Sequence, residues 1–424
     1  MKFRPVFLSI GIVILLAALA LARDTIVPAG HRPMPALKDL RTVSIILERS
    51  ECFGTCPSYR VELRGTGEII YEGRKYVLVE GQHRATVDPQ RVAALVERFR
   101  QDDFWSLRPA YIASITDNPS YRLTLSIDGQ TKTVTDYVGK EAGMPDSVTA
   151  LEEAVDKVAG ARRWITGDKE TLDSLRHEQW NFSSPATAGM LARAAVDAPD
   201  ILVFGLLAAG APVKEVGSPN PDEYSPPKTA LDNASLMARL EVARKLIALG
   251  AATNVPGAAE SALRNAAASK HPAMVAEILK LKPHVNARDR SGFSALMWVE
   301  QGPDPFYFQP DRTDPVQVIR MLVAAGADPN LTVEKPGSYN AGDTILHMTT
   351  DPAKAQAYID AGAKLNQRND RGQTPVLASS SEDVALLLLD RGADLSLRAD
   401  DGTNLRQSAK DQGWTKVLAR LDRK

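Results

Sequence analysis

The chain has 424 residues, of which 44% are hydrophobic and 24% charged, with a formal net charge of -1. That length is too great for one ordinary core, and the balance is that of a folded protein of two or more domains. The near-zero charge gives no electrostatic basis for binding nucleic acid or an anionic surface.

Lys2 and Arg4 precede an uncharged apolar run from Val6 to Ala22, and Ala20-Leu21-Ala22 offers the small residues a signal peptidase needs. Residues 1–22 are expected to be a signal peptide or an uncleaved anchor, with residues 6–22 in the inner membrane in the second case. Both readings export the rest, because the positive charges stay on the cytoplasmic side. The expected location is the periplasm or beyond. Residues 23–40, with Pro28, Pro33 and Pro35, read as a tether.

Residues 41–167 form the first folded region. Thr42 to Leu47 is rich in branched residues and predicts a strand, and Tyr59, Val61 and Leu63 alternate with charged neighbours as a half-buried strand. Gly65-Thr66-Gly67 turns the chain into a partner strand over 68–72, and 76–80 and 84–87 are expected to continue the sheet. Asp88-Pro89 opens a helix whose apolar face is Val92, Leu95, Val96 and Phe99. A second hairpin runs from Tyr121 through Asp128-Gly129 to Tyr137, and Val148, Leu151, Val155 and Val158 lie along a last helix stopped by Gly160. The order predicts an antiparallel sheet covered by two helices.

The two cysteines, Cys52 and Cys56, are four residues apart. In an oxidising compartment a close pair is most simply a disulfide, worth roughly 2 kcal/mol for so short a loop. A redox-active pair is the sharper alternative, weakened by the Cys-x-x-x-Cys spacing. Two thiols without further ligands do not make a metal site, so no metal or cofactor is expected. His83, Asp136 and the cysteines are the nucleophile-like residues of this region, and nothing in their spacing unites them. His83, in GQHRAT, reads as solvated, and Tyr59, Tyr71, Tyr76 and Tyr137 as sheet packing.

This region resembles a bacterial domain family of uncharacterised function often found N-terminal to ankyrin repeats. The likeness rests on Cys52-Phe53-Gly54-Thr55-Cys56-Pro57-Ser58-Tyr59, on Asp136 to Gly139 (DYVG) and on Gly143-Met144-Pro145. It implies a fold and no activity.

Residues 168–185 read as a linker helix covering the first repeat. From 186 to 424 one unit recurs. Gly210-Ala211, Gly250-Ala251, Gly326-Ala327, Gly362-Ala363 and Gly392-Ala393 each follow an amphipathic helix, and Lys282-Pro283 takes the same place once. The turns are spaced 40, 32, 44, 36 and 30 residues apart. In the clearest unit, Asp314 caps a helix, Pro315 sits in its first turn, and Val318, Ile319, Leu322 and Val323 share a face before Gly326. These units resemble ankyrin repeats through AGADPN at Ala325 to Asn330, AGAKLN at Ala361 to Asn366, RGADLS at Arg391 to Ser396, and Thr344-Ile345-Leu346-His347. The resemblance implies an all-α solenoid of six units and a polar cap over 401–424, with His347 as a structural hydrogen-bonding residue. It also implies a binding side on the hairpin tips and inner helix face, where Arg288, Arg290, Phe293, Arg368, Asp370, Arg371 and Gln373 stand. An insertion from Gly302 to Thr313 adds Phe306, Tyr307 and Phe308 among prolines, as partner contacts or as a cover for the stack. A second insertion, Val216 to Pro227, carries Tyr224 and reads as plain loop.

The fold class is therefore multi-domain, an α+β region before an ankyrin-like solenoid. The expected function is non-enzymatic: an exported binding protein that holds another protein through its repeats. The alternatives are a thiol-disulfide oxidoreductase using Cys52 and Cys56, or small-ligand binding by the first region.

Overall fold

A computed structural model describes residues 30, 32–215, 228–302 and 313–423. The expected leader over 1–22, the aromatic triplet Phe306-Tyr307-Phe308 and the loop carrying Tyr224 lie outside the described residues. The chain divides into two compact units, one made of residues up to Glu72 together with Arg84–Gly160, the other of Gly73–His83 together with Ala161–Lys424.

The first unit is built on a seven-stranded sheet in the order β4-β3-β2-β1-β6-β7-β5. Its strands are β1 (Ser44–Arg49), β2 (Ser58–Arg64), β3 (Glu68–Lys75), β4 (Gly81–Thr86), β5 (Ala110–Ile112), β6 (Tyr121–Ile127) and β7 (Gln130–Tyr137). Alternation does what it predicts: Ile45 and Leu47, Tyr59, Val61 and Leu63, and Leu123, Leu125 and Ile127 are all at most 1% exposed. Two helices supply the rest of the core. The first, α1 (Pro89–Gln101), is capped by the Asp88 side chain and buries Val92, Leu95, Val96 and Phe99. The second, α2 (Asp146–Ala159), buries Val148, Leu151 and Val155 and is closed by Gly160 in the left-handed conformation. Each fully buried aliphatic chain contributes about 1.5–3 kcal/mol of hydrophobic transfer.

Two expectations about the sheet need correction. The sheet is not purely antiparallel, because β5 joins the edge parallel to β7. Three residues are too few to show a period of two. Residues 76–80 do not extend a strand: Leu78 and Val79 donate their N–H groups to Ile165 and Trp164 carbonyls, so that backbone is satisfied without a ladder. From the tether, Arg32 donates its N–H to Ser106 Oγ at 2.7 Å.

The second unit is helical. A first series comprises Pro185–Asp197, Ala230–Leu236, Ala258–Ser269, Ala295–Gln301, Ile345–Met348, Pro375–Ala378 and Leu405–Asp411, and a second series Asp200–Ala208, Leu240–Ala248, Pro272–Leu279, Pro315–Ala324, Pro352–Asp360, Glu382–Asp390 and Thr415–Leu421. Each first helix pairs with the second helix next to it in the chain, and each packs on its counterpart in the next pair. The short helix Thr171–His177 lies against Asp200–Ala208 and covers that end. All six predicted turns close a second-series helix with a positive φ, Lys282 included at +53°. Lysine therefore occupies a backbone state that elsewhere in the series falls to glycine, at a cost of about 1–2 kcal/mol.

His83 is not solvated. It is 4% exposed, stacked near Trp164 and Trp180 at ring separations of 6.4 and 5.8 Å. Its Nδ1 lies 2.6 Å from Glu178 Oε2 and its Nε2 3.0 Å from the Glu80 carbonyl. The strand period explains the correction, since within GQHRAT His83 is buried and Ala85 on the same face half-buried, while Gln82 and Arg84 between and before them stay exposed.

Candidate functional site

Strand register assembles a polar row at one end of the first unit's sheet. Arg49 of β1 stands opposite Tyr59 of β2 and Tyr121 of β6. Tyr121 stands opposite Asp136 of β7, which in turn faces Tyr111 of β5. Directly opposed residues share a face, so five strands line up Tyr59, Arg49, Tyr121, Asp136 and Tyr111. Over this row α2 lays Glu152 and Asp156, one turn apart on the helix face that also carries Val148 and Val155.

The row is held by short bonds. The Tyr59 hydroxyl donates to Asp156 Oδ2 at 2.6 Å, and the Arg49 guanidinium lies 5.1 Å from the Tyr121 ring centre. Gly139 donates its N–H to Asp136 Oδ1 at 2.7 Å. A side chain on Gly139 would come within 3 Å of Asp136 Oδ1, Met144 Sδ and Tyr111 Cβ. That close approach gives the DYVG and GMP segments a physical reason to be what they are.

The electrostatics are unusual. Burial, and then the neighbouring Asp136, push the Glu152 carboxyl up to about 8. Burial pushes Asp156 up to about 6 against the pull of the Tyr59 hydrogen bond and Arg49. Burial likewise raises the Tyr59 and Tyr121 phenols. Glu152 is 5% exposed. Its Oε1, Asp156 Oδ1 and Arg49 Nε are buried without a hydrogen-bond partner. Orphaned polar atoms of this kind are rare and call for an explanation.

Beside the row lies a cavity of about 260 Å³ lined by Asn118, Pro119, Tyr121, Asp136, Val138, Gly139, Lys140 and Thr149. The Cys52–Cys56 disulfide is formed, and the segment around it bonds to residues on either side of Asn118 and Pro119. Ser50 donates its N–H to the Ser120 carbonyl and Phe53 its N–H to that of Asp117. Phe53 itself is 88% exposed. The cysteines thus brace a loop, and His83 belongs to the other unit.

In the second unit the predicted partner-binding residues mostly hold the chain to itself. Arg288 pairs with Glu334 at 2.6 Å and donates to the Thr332 carbonyl. Arg368 bonds the Arg398 carbonyl and Asp400. Arg371 sits 4.6 Å above the Tyr339 ring and 3.8 Å from Asp343. Gln373 accepts from His347 Nε2 at 3.0 Å through its carbonyl and donates its N–H to Asn369 Oδ1. His347, whose other ring nitrogen accepts from the Thr344 N–H at 3.1 Å, thus has the structural role expected of it. Burial lowers its pKa. Arg290 and Asp370 stay exposed, Phe293 is half-buried, and Tyr339 is 84% exposed.

A side-chain ladder aligns these tips. Asn286 Oδ1 accepts from Asp328 N–H, Asn330 Oδ1 from Lys364 N–H and Asn366 Oδ1 from Asp394 N–H, at 2.8–2.9 Å each. One bond repeated at successive turns fixes successive pairs in the same register.

Sequence reasoning missed Glu152, Asp156, Arg49, Tyr121 and Tyr339. A signal existed for Glu152, because a carboxyl stands within the apolar stripe Val148-Leu151-Val155. Arg49 and Tyr121 needed the register.

A family model described as a domain of unknown function, DUF6438, matches residues 43–159. The chain is 32% identical over 136 residues to the Neurogenic locus Notch protein of Drosophila melanogaster, covering 29% of this chain and 5% of that one. It is 28% identical over 166 residues to the Mitochondrial disaggregase of Bos taurus, covering 31% and 23%. To the E3 ubiquitin-protein ligase KEG of Arabidopsis thaliana it is 31% identical over 101 residues, covering 22% and 6%. The chain thus spans less than a quarter of each of these relatives.

Proposed function

We propose that this chain is an exported interaction protein whose helical half is an ankyrin-type stack that docks another protein. The observation that carries this reading is the Asn286, Asn330 and Asn366 ladder. It fixes the hairpin tips before any partner arrives, and a preformed surface loses little conformational entropy on association. Arg290, Phe293 and Tyr339 are the anchors, since arginine and aromatic side chains carry most interface energy. Arg288, Arg368 and Arg371 position the tips, and Phe306, Tyr307 and Phe308, outside the described residues, are further candidate partner contacts.

Two triple variants test this in the full chain: alanine at Arg290, Phe293 and Tyr339, and alanine at Phe306, Tyr307 and Phe308. Each is expected to lose at least tenfold in retention of a partner captured from a periplasmic extract, with the melting temperature within about 2 °C of the parent. A fall in melting temperature with capture intact assigns those side chains to the stack and removes the proposal. Export rests on the positive, apolar first 22 residues and on the disulfide, which a reducing cytosol does not sustain. Alkylation of intact cells is expected to find Cys52 and Cys56 oxidised, and free thiols there would contradict export.

A further inference from the structure

We propose that α2 is a pH-released flap: it lies closed on the sheet while Glu152 keeps its proton and swings off when that proton leaves. The device belongs to the first unit and involves none of the residues assigned to docking.

Glu152 stands among Val148, Leu151 and Val155, in the stripe that α2 buries. That helix packs against β1, β2 and α1. The charged groups facing Glu152 are Asp136 of β7 and Glu153 and Asp156 of its own helix, all acidic. Arg49 of β1 lies over Tyr121 of β6 and acts on Asp156, to which Tyr59 of β2 also donates. On α1, Arg91 and Arg98 share a groove with Glu153 and Lys157, both exposed. Asp156 therefore has partners for a negative charge where it stands, and Glu152 has none. Its Oε1 is buried without a hydrogen bond, so nothing in the closed arrangement stabilises the anion.

The chain on either side lets α2 move as one piece. It is the last element of the first unit, and it gives no bond to the strand ladder. Before it, Arg108 holds the Ala142 carbonyl at 2.7 Å, and Gly143 follows with a φ of +76°. After it comes Gly160 at +60°. The helix start at Pro145 has no side-chain cap. Glycines at both ends are where the backbone turns at least cost. Helix α1 is built differently: its one carboxylate, Glu97, is exposed, and its Phe99 rests edge-on against Phe104 at 4.8 Å.

Opening brings Glu152 into water, where it ionises at its ordinary value. Closed, it keeps the proton up to about 8, through burial first and Asp136 second. Above about pH 6 Asp156 is already ionised, so each opening releases one proton. The opening constant therefore rises about tenfold per pH unit as far as about pH 8 and then levels off. What opening bares is the apolar stripe of α2 and the sheet face beneath it.

The test is amide hydrogen exchange in the full chain at a series of pH values from about 6 to 9, with rates corrected for the intrinsic pH dependence of exchange. Amides of α1, in the same unit, report opening of the unit as a whole. The ratio of α1 to α2 protection is expected to widen about a hundredfold between pH 6 and 8 and to stay level beyond. In Glu152→Gln that ratio is expected to stay flat over the same range. A ratio independent of pH in the parent, parallel loss of protection in both helices, or an unchanged slope in Glu152→Gln overturns the proposal. Should Glu152→Gln fail to fold, Asp136→Asn decides, since it keeps an acceptor for Gly139 N–H and removes a facing carboxylate. It is expected to move the upper end of the window to lower pH, and an unmoved end counts against the flap.

Discussion

Replacing Glu152 by Gln is expected to raise the stability of the first unit by several kcal/mol at pH 8 and above, and by almost nothing at pH 4. The sign follows from which state holds the proton. In the folded chain Glu152 releases it only at about 8, and Asp156 at about 6, against ordinary values of 4.5 and 3.8. Between those limits the folded state binds more protons than the unfolded one, so stability falls as pH rises and levels off above about 8. Each pKa unit is worth about 1.4 kcal/mol. The dominant cause is burial, with Asp136 second. Glutamine keeps the shape and carries no ionisation cost, so the variant and parent should diverge across the window from about pH 5 to 8. Chemical denaturation followed at a series of pH values measures this directly. A difference that stays constant with pH would mean that Glu152 is ionised in the folded protein.

Glu300→Ala is expected to cost roughly 3–5 kcal/mol, the penalty of stranding a buried partner. Glu300, at the end of Ala295–Gln301, accepts from Lys354 Nζ at 2.5 Å and from the Tyr358 hydroxyl at 2.8 Å, both on Pro352–Asp360. The Glu300 and Lys354 side chains are 5% and 11% exposed, and Tyr358 is fully buried. One carboxylate therefore bonds two neighbouring helix pairs. Its removal leaves an ammonium and a hydroxyl in the interior. Because a stack of pairs is stabilised mainly by nearest-neighbour interfaces, the loss should also split the urea transition of the helical unit into two. The double variant Glu300→Leu with Lys354→Met is expected to recover most of the loss, since no charge is then buried. A single smooth transition in Glu300→Ala with a loss below about 1 kcal/mol would show that water reaches the pair.

Much of this architecture is written in local patterns. The alternation in β1, β2 and β6 and the helix stripes of α1 and α2 are set by neighbours within a few residues, so they are legible in the sequence. The glycine turns recur because each closes a helix with positive φ, a demand that glycine meets most cheaply, and Lys282 is recognisable by its position in the repeat. Strand β5, with three residues, carries too little pattern to be seen.

The sites are less legible because they depend on distance in space. Tip residues such as Arg290 and Phe293 follow from their place in a repeat, yet only the structure separates them from Arg288, Arg368 and Arg371, which are spent on neighbouring turns. The polar row joins positions 49, 59, 111, 121, 136, 152 and 156. No spacing relates these, since only pairing of five strands and the laying of α2 across them brings the side chains within reach. His83 shows the same thing in reverse, a histidine in a polar stretch buried between two tryptophans far along the chain. Local periodicity thus determined which elements form. Long-range register decided which charges meet, because electrostatic neighbours are fixed by folded distance and not by order along the backbone.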